Sequence, residues 1–70
     1  MIIHGAVVRI EPAHGFGFIR DDQQGEWFFV ASGVRAGSLA RLWVGERVGF
    51  SQERTASGPR AVDIHHELAG

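Results

Sequence analysis

The sequence predicts a small all-β fold, a five-stranded antiparallel barrel. Five short segments are rich in β-branched and aromatic residues, glycines and polar residues separate them, and no stretch shows convincing helical periodicity. These are the features of short strands joined by tight turns. Closing the strands into a barrel would remove the exposed edges that a flat five-stranded sheet would present.

Each predicted strand has its own signal. The first segment is β-branched and ends before Pro12, which cannot donate a ladder hydrogen bond. The second alternates glycine with phenylalanine, the third is aromatic, and the last two alternate apolar with polar residues. The predicted strands are 3–10, 15–20, 26–31, 45–53 and 59–66.

The last two predicted strands are expected to supply part of the core. Alternation points Val48 and Phe50 inward in the fourth strand. In the fifth, it pairs Ile64 with either Ala61 or Val62, and the pattern alone leaves that choice open.

Length and composition favour one small domain spanning 1–70. The connection 32–44 is long and holds one expected helical turn near 38–41. The chain has no cysteine, which fits a reducing compartment. Its first residues do not have the pattern of a signal peptide, and no apolar run approaches the roughly 20 residues that span a bilayer. We therefore expect a cytoplasmic protein.

The charge balance limits the kind of partner. The chain has seven arginines, no lysine and eight acidic residues, for a net charge of −1. A strong nucleic-acid binder usually has a basic excess. Any positive patch must therefore come from where the arginines lie.

The stretch His14-Gly15-Phe16-Gly17-Phe18-Ile19 predicts an aromatic surface. Because side chains alternate across a strand, Phe16 and Phe18 share one face with only a glycine between them. A polar hairpin at 20–25 leads into the next strand, which brings Phe28 beside them. Three outward phenyl rings would mark a contact surface, whereas inward rings would be ordinary core.

The orientation of Trp27 follows from the same parity. If Phe28 faces outward, Trp27 and Phe29 face inward and fill the barrel. A bulge that shifts the register by one residue would instead bring Trp27 onto the aromatic surface. Parity favours the inward orientation.

Two motifs at this spacing resemble those of bacterial cold-shock proteins. The run Gly15-Phe16-Gly17-Phe18-Ile19 matches the first ribonucleoprotein motif of the cold-shock domain, and Trp27-Phe28-Phe29-Val30 lies where the family has its second. Gly58-Pro59-Arg60-Ala61 is similar to the family's Gly-Pro-Gln-Ala. The resemblance implies an oligonucleotide-binding (OB) barrel, a single-stranded nucleic-acid partner and an RNA-chaperone or regulatory role.

The resemblance is weaker on the binding face. Arg9 stands where the family usually stacks a tryptophan, and His14 stands where it has a lysine. Three further positions lose a ring or a histidine; they are Val30, Ala31 and Leu39. Because stacking one base is worth roughly 1–3 kcal/mol, we expect binding that persists but is weakened.

The predicted nucleic-acid site combines stacking rings with flanking cations. Bases would lie on the phenylalanines, while arginines would meet sugar and phosphate. The predicted site residues are Arg9, His14, Phe16, Phe18, Arg20, Phe28, Val30 and Arg60. The alternative is a barrel that has largely lost this role and serves protein interaction or dimerisation, so that the protein is a monomer or a homodimer.

Enzymatic and metal-binding roles find little support. No serine or cysteine stands beside a histidine and an acid, and Asp21-Asp22 are expected to serve the hairpin. His65 and His66 point to opposite faces of a strand and lack partners for a zinc set, so a solvated pair is expected. No glycine run leads into a helix as a phosphate loop does. We expect no catalytic residue, metal or cofactor.

Overall fold

The structure is a computed structural model that describes residues 1–67. It contains five β-strands, as predicted, and their ends differ from the predicted ones by no more than two residues. The strands are β1 (Ile3–Glu11), β2 (Phe16–Asp21), β3 (Glu26–Val30), β4 (Arg47–Thr55) and β5 (Gly58–His66). The long connection between β3 and β4 holds two short 3-10 helices, η1 (Ala31–Gly33) and η2 (Leu39–Arg41). The helical turn expected near 38–41 is η2.

The strands form one antiparallel sheet in the order β3-β2-β1-β4-β5. The edge strands β3 and β5 share no ladder within residues 1–67, so the predicted hydrogen-bonded closure of the barrel is not confirmed. A single parallel bridge between Val34 and Ile64 lies at the gap, where the Arg35 N–H donates to the Ile64 carbonyl oxygen at 2.8 Å. The sheet is therefore curled, with its two edges brought together by the segment that follows β3.

The core lies inside this curled sheet. Every strand and the residue after η1 contribute to it, which is typical of a sheet wrapped around its own side chains. The buried apolar residues are Val7, Ile19, Phe29, Val34, Val48, Phe50, Ala61 and Ile64. The inward orientation predicted for Val48 and Phe50 is confirmed.

A bulge in β5 decides between Ala61 and Val62. Ala61 and Ile64 are both fully buried although they are three positions apart, which simple alternation forbids. The register of β4 against β5 shifts between Gly49 and Ser51, and Asp63 has a φ of 53°. The extra residue reverses the parity, so Ala61 and Ile64 reach the same interior.

A second irregularity in β1 orients Arg9. Val7 lies opposite Ile19, while Arg9 lies opposite Phe18, so Val8 is the extra residue of a bulge. Without it, Arg9 would share the buried face of Val7. With it, Arg9 lies on the outer face of the sheet, beside the phenylalanines of β2.

Trp27 packs against the core, in agreement with the parity argument. Its ring centroid is 5.4 Å from that of Phe50 in an edge-to-face arrangement. Its Nε1 donates a hydrogen bond to Asp21 Oδ2 at 2.7 Å, so the polar edge of the indole reaches the β2–β3 hairpin. Asp21 Oδ1 also accepts from the backbone N–H groups of Gln23 and Gly25. The Trp27 bond, with help from Gly25, lowers the pKa of Asp21 below its ordinary value, because these donors favour the charged carboxylate.

Gly17 allows the strand to pass over the core. A Cβ built at this position would lie 2.6 Å from the Arg9 carbonyl oxygen and 2.6 Å from Phe29 Cζ. The glycine between Phe16 and Phe18 therefore lets the ring of Phe29 pack directly beneath β2.

We expect Gly17→Ala to lower the free energy of unfolding by roughly 1–3 kcal/mol, because the added methyl group overpacks a fully buried ring and a backbone oxygen. Urea unfolding followed by circular dichroism would measure the change. An unfolding midpoint equal to that of the unmodified chain would show that β2 can move away from Phe29 at no cost.

None of the helices within residues 1–67 has the length and apolar character needed to cross a membrane.

Candidate nucleic-acid interface

Three phenylalanines form a cluster on the outer face of β2 and β3, here called the phenyl platform (Phe16, Phe18 and Phe28). All three rings are half-buried and none belongs to the core. The ring centroids of Phe16 and Phe28 and those of Phe18 and Phe28 are 5.7 Å apart, and those of Phe16 and Phe18 are 6.0 Å apart. The outward orientation predicted for these rings is the one that the structure shows.

Strand pairing explains why the platform forms. Phe18 lies directly opposite Phe28 in the β2–β3 ladder, and Phe16 lies opposite Val30. Because Ile19 and Phe29 point into the core, their neighbours on each strand must point out. The rings pack at angles of 31° to 87°, so their edges support one another while part of each ring remains accessible.

Arg9 borders the platform on the β1 side. Its Cζ is 6.0 Å from the centroid of the Phe16 ring and 5.9 Å from that of Phe18. These are cation–π distances, so the guanidinium lies where it can stack beside a base or contact a phosphate.

Glu11 holds Arg9 in this position. Arg9 Nε donates a hydrogen bond to Glu11 Oε2 at 2.7 Å, and the two residues lie on the same face of β1. The side chain of Arg9 is 59% exposed, so this ion pair contributes little to stability. Glu11 was not among the residues predicted for the site. The signal was available, since residues two apart on a strand share a face.

Arg60 borders the platform on the opposite side. Its Cζ lies 5.5 Å from the centroid of the Phe28 ring. Arg60 belongs to β5, which is not hydrogen-bonded to β3, so the curl of the sheet brings this cation to the rings. The platform is thus flanked by one arginine from β1 and one from β5.

His14 and Val30 lie at one end of the platform. The His14 ring centroid is 6.2 Å from that of Phe16, and the imidazole is exposed. Val30 is half-buried opposite Phe16 and adds apolar surface without a ring face. Of these two residues, only His14 offers a polar group to a ligand.

Arg20 lies beyond the other end. It is exposed on β2 opposite Glu26, and the two side chains form an ion pair with an N–O distance of 3.5 Å. Both side chains are at least half exposed, so a phosphate can compete with Glu26 for this guanidinium.

The structure therefore brings most of the predicted residues together. Arg9 and Phe28 lie beside both Phe16 and Phe18, and His14 lies beside Phe16. Arg60 lies beside Phe28. Arg20 lies on the same face but is paired with a carboxylate. Among residues 1–67, no group of three His, Cys, Asp or Glu side chains could hold a metal ion.

The histidine pair near the C-terminal end of β5 is less solvated than predicted. His65 Nδ1 lies 2.9 Å from the Asp63 carbonyl oxygen. His66 Nδ1 is hydrogen-bonded to the carboxylate of Glu46, which is only 4% exposed. The expected solvated pair is thus found only in part: the side chain of His66 is 52% exposed, but β5 pairs with the start of β4 and brings a buried acid to its Nδ1.

Comparison with solved structures shows the fold. The chain is similar to a structure described as "drosophila Unr CSD456", with a TM-score of 0.76 and 24% sequence identity. The match covers 99% of this chain and 28% of the other, so the chain spans about a quarter of the length of that protein. No protein of curated function matches.

Comparison with protein families covers nearly the whole chain. The family of the 'Cold-shock' DNA-binding domain matches residues 3–66, from the start of β1 to the end of β5. This is a family of nucleic-acid-binding domains and not of enzymes. The chain therefore belongs to the cold-shock domain family.

Proposed function

We propose that the chain binds single-stranded RNA or DNA by stacking bases on the phenyl platform. The observation that carries this proposal is the cluster of three half-exposed phenyl rings, with neighbouring centroids no more than 6.0 Å apart, flanked by Arg9 and Arg60. A half-buried aromatic surface with cations at its borders is the usual construction of a single-strand binding site.

The proposed mechanism needs no covalent chemistry. Unstacked bases lie on Phe16, Phe18 and Phe28, while Arg9 and Arg60 contact sugar and phosphate at the two sides. Single strands are favoured over duplexes, because the faces of paired bases are already covered by their neighbours.

The cations around the platform favour weakened binding. Arg9 and Arg20 each have a carboxylate partner, so a phosphate must compete with that partner for the guanidinium. If two or three arginines reach phosphates, the logarithm of the binding constant falls with the logarithm of salt concentration with a slope of roughly −1.4 to −2.

We propose an RNA-chaperone or regulatory role in the cytoplasm as the setting, supported by the family and the absence of cysteine.

A second candidate function is protein interaction through the same face. It is favoured by the net charge of −1 and by the apolar residues Val8 and Val30, of which Val8 is 38% exposed. In this case the platform would be covered by a partner protein or by a second copy of the chain.

Titration with oligothymidine and with a short RNA distinguishes the two functions. Amide chemical shifts should change most at Phe16, Phe18 and Phe28, and a duplex of the same sequence should cause much smaller changes. Raising the salt concentration should weaken binding with the shallow slope given above. If no amide chemical shift changes at low salt and the platform is protected in a dimer, the first function is contradicted and the second is supported.

A further inference from the structure

Trp43 is a second exposed aromatic residue, in the segment between η2 and β4. It is 58% exposed, and its neighbour Val44 is 61% exposed. Trp27, by contrast, is packed against the core. A largely exposed indole offers a large flat surface on which a ligand can stack.

The segment that carries Trp43 is held in place by a buried acid. The backbone N–H of Trp43 donates to Glu46 Oε1 at 3.4 Å, and the backbone N–H of Glu46 donates to the Trp43 carbonyl oxygen at 3.1 Å. The other oxygen of Glu46 bonds His66, whose ring lies 5.8 Å from that of Trp43 at an angle of 30°. The indole is therefore supported from β5 while more than half of it remains accessible.

Arginine and histidine side chains line two adjoining hollows beside the indole. Arg41 and His66 line the same shallow hollow as Trp43. Arg35 and His65 line the adjoining hollow together with Arg41. Arg35 is neutralised by Asp63 through two hydrogen bonds, whereas Arg41 has no ion-pair partner among residues 1–67. An exposed aromatic ring beside an uncompensated arginine is a combination that suits a base and its phosphate.

A groove of about 570 Å³ lies beside η2. Its lining includes Ile10 and Ala31, the chain neighbours of Arg9 and Val30. It also includes Ala40 and Leu42, which line the hollow of Trp43 as well, so the groove and the hollow adjoin.

We propose that Trp43 and Arg41 form a second stacking site for the strand that lies on the phenyl platform. This inference rests on the proposed function and extends it: a short oligonucleotide occupies the platform alone, and a longer one also stacks a base on Trp43. The arginine beside the ring and the groove that adjoins its hollow favour nucleic acid over a protein partner.

Oligothymidines of two lengths, about 4 and about 12 nucleotides, test the proposal within the range of site sizes that OB folds occupy. Trp43→Ala should weaken binding of the longer strand by about 5- to 150-fold, which corresponds to the loss of one stacked base. Binding of the shorter strand should be unchanged. Arg41→Gln should reduce the salt slope for the longer strand by about 0.7.

Val44→Ala is the matched control, because Val44 is the equally exposed neighbour without a ring. It should leave both affinities unchanged. The indole N–H signals of the unmodified protein give a second readout, since the chain has only two tryptophans. The Trp43 signal should shift with the longer strand only, while the Trp27 signal should not shift with either strand.

Three results would overturn the inference. The first is equal affinity of Trp43→Ala and the unmodified chain for the longer strand. The second is an equal loss for both lengths, which would indicate a structural role. The third is burial of Trp43 in a dimer at increasing protein concentration without oligonucleotide. If short strands bind through the platform but the Trp43 indole signal does not shift with the longer strand, the second site is contradicted and the proposed function stands. If no strand binds the unmodified chain, both fail.

Discussion

Replacing both Phe18 and Phe28 by alanine is expected to reduce single-strand affinity by about 30-fold or more. The two residues face each other across β2 and β3, and their rings form the centre of the platform, 5.7 Å apart. Stacking on an aromatic ring is worth roughly 1–3 kcal/mol per base, so the loss of two rings removes about 2–6 kcal/mol of binding free energy. Fluorescence anisotropy of a labelled oligothymidine at low salt would measure it.

Replacement of the same residues by leucine separates stacking from simple burial. Leucine keeps apolar surface on the face of the sheet but has no π face for a base. We expect the leucine variant to lose nearly as much affinity as the alanine variant, with both remaining folded by circular dichroism. If the leucine variant bound the oligothymidine as tightly as the unmodified protein, the stacking mechanism would be contradicted.

Phe50→Ala is expected to cause the largest loss of stability. Phe50 is fully buried and packs edge-to-face against Trp27. Removing a buried phenyl ring typically costs about 3–5 kcal/mol, which includes the cavity that remains. Domains have a net stability of only about 5–15 kcal/mol, and one of this size lies near the lower end. Thermal unfolding should show a midpoint lowered by tens of degrees or no cooperative transition.

Phe28→Ala is the matched control for this prediction. It removes the same side chain from the outer face of the sheet, where the ring is half-buried and a cavity cannot form. Its unfolding midpoint should fall much less than that of Phe50→Ala. Equal losses for the two variants would show that the platform belongs to the structural core and would weaken the case for an accessible binding face.

Much of the binding face could be predicted from the sequence because it depends on local rules. The alternation of glycine and phenylalanine in 15–19 and the hairpin at 20–25 are short-range features, so the pairing of Phe18 with Phe28 follows from the strand period. The orientation of Trp27 followed in the same way. The expectation that three phenylalanines face outward together depended on no long-range contact.

The bulges could not be predicted in this way. Parity alone would have turned Arg9 inward with Val7 and left the choice between Ala61 and Val62 open. The extra residue in β1 and the positive φ of Asp63 in β5 reverse the parity at these points. A bulge depends on how two strands must bend around a shared core, and one strand's sequence contains little of that information.

Contacts between distant segments were likewise decided by the tertiary structure. Arg60 reaches the ring of Phe28 because the sheet curls until β5 lies near β3, and His66 meets the buried Glu46 because β5 pairs with β4. The same curl leaves the edges of the sheet linked by one bridge instead of a closed ladder.

Strand period and turn chemistry thus specified the five strands, their approximate ends and the aromatic face, since each depends on residues only a few positions apart. The packing of the curled sheet decided which arginines border the rings, which histidine meets an acid, and how the segment carrying Trp43 is held beside β5. These features join residues far apart in the chain, and only a shared core determines their distance.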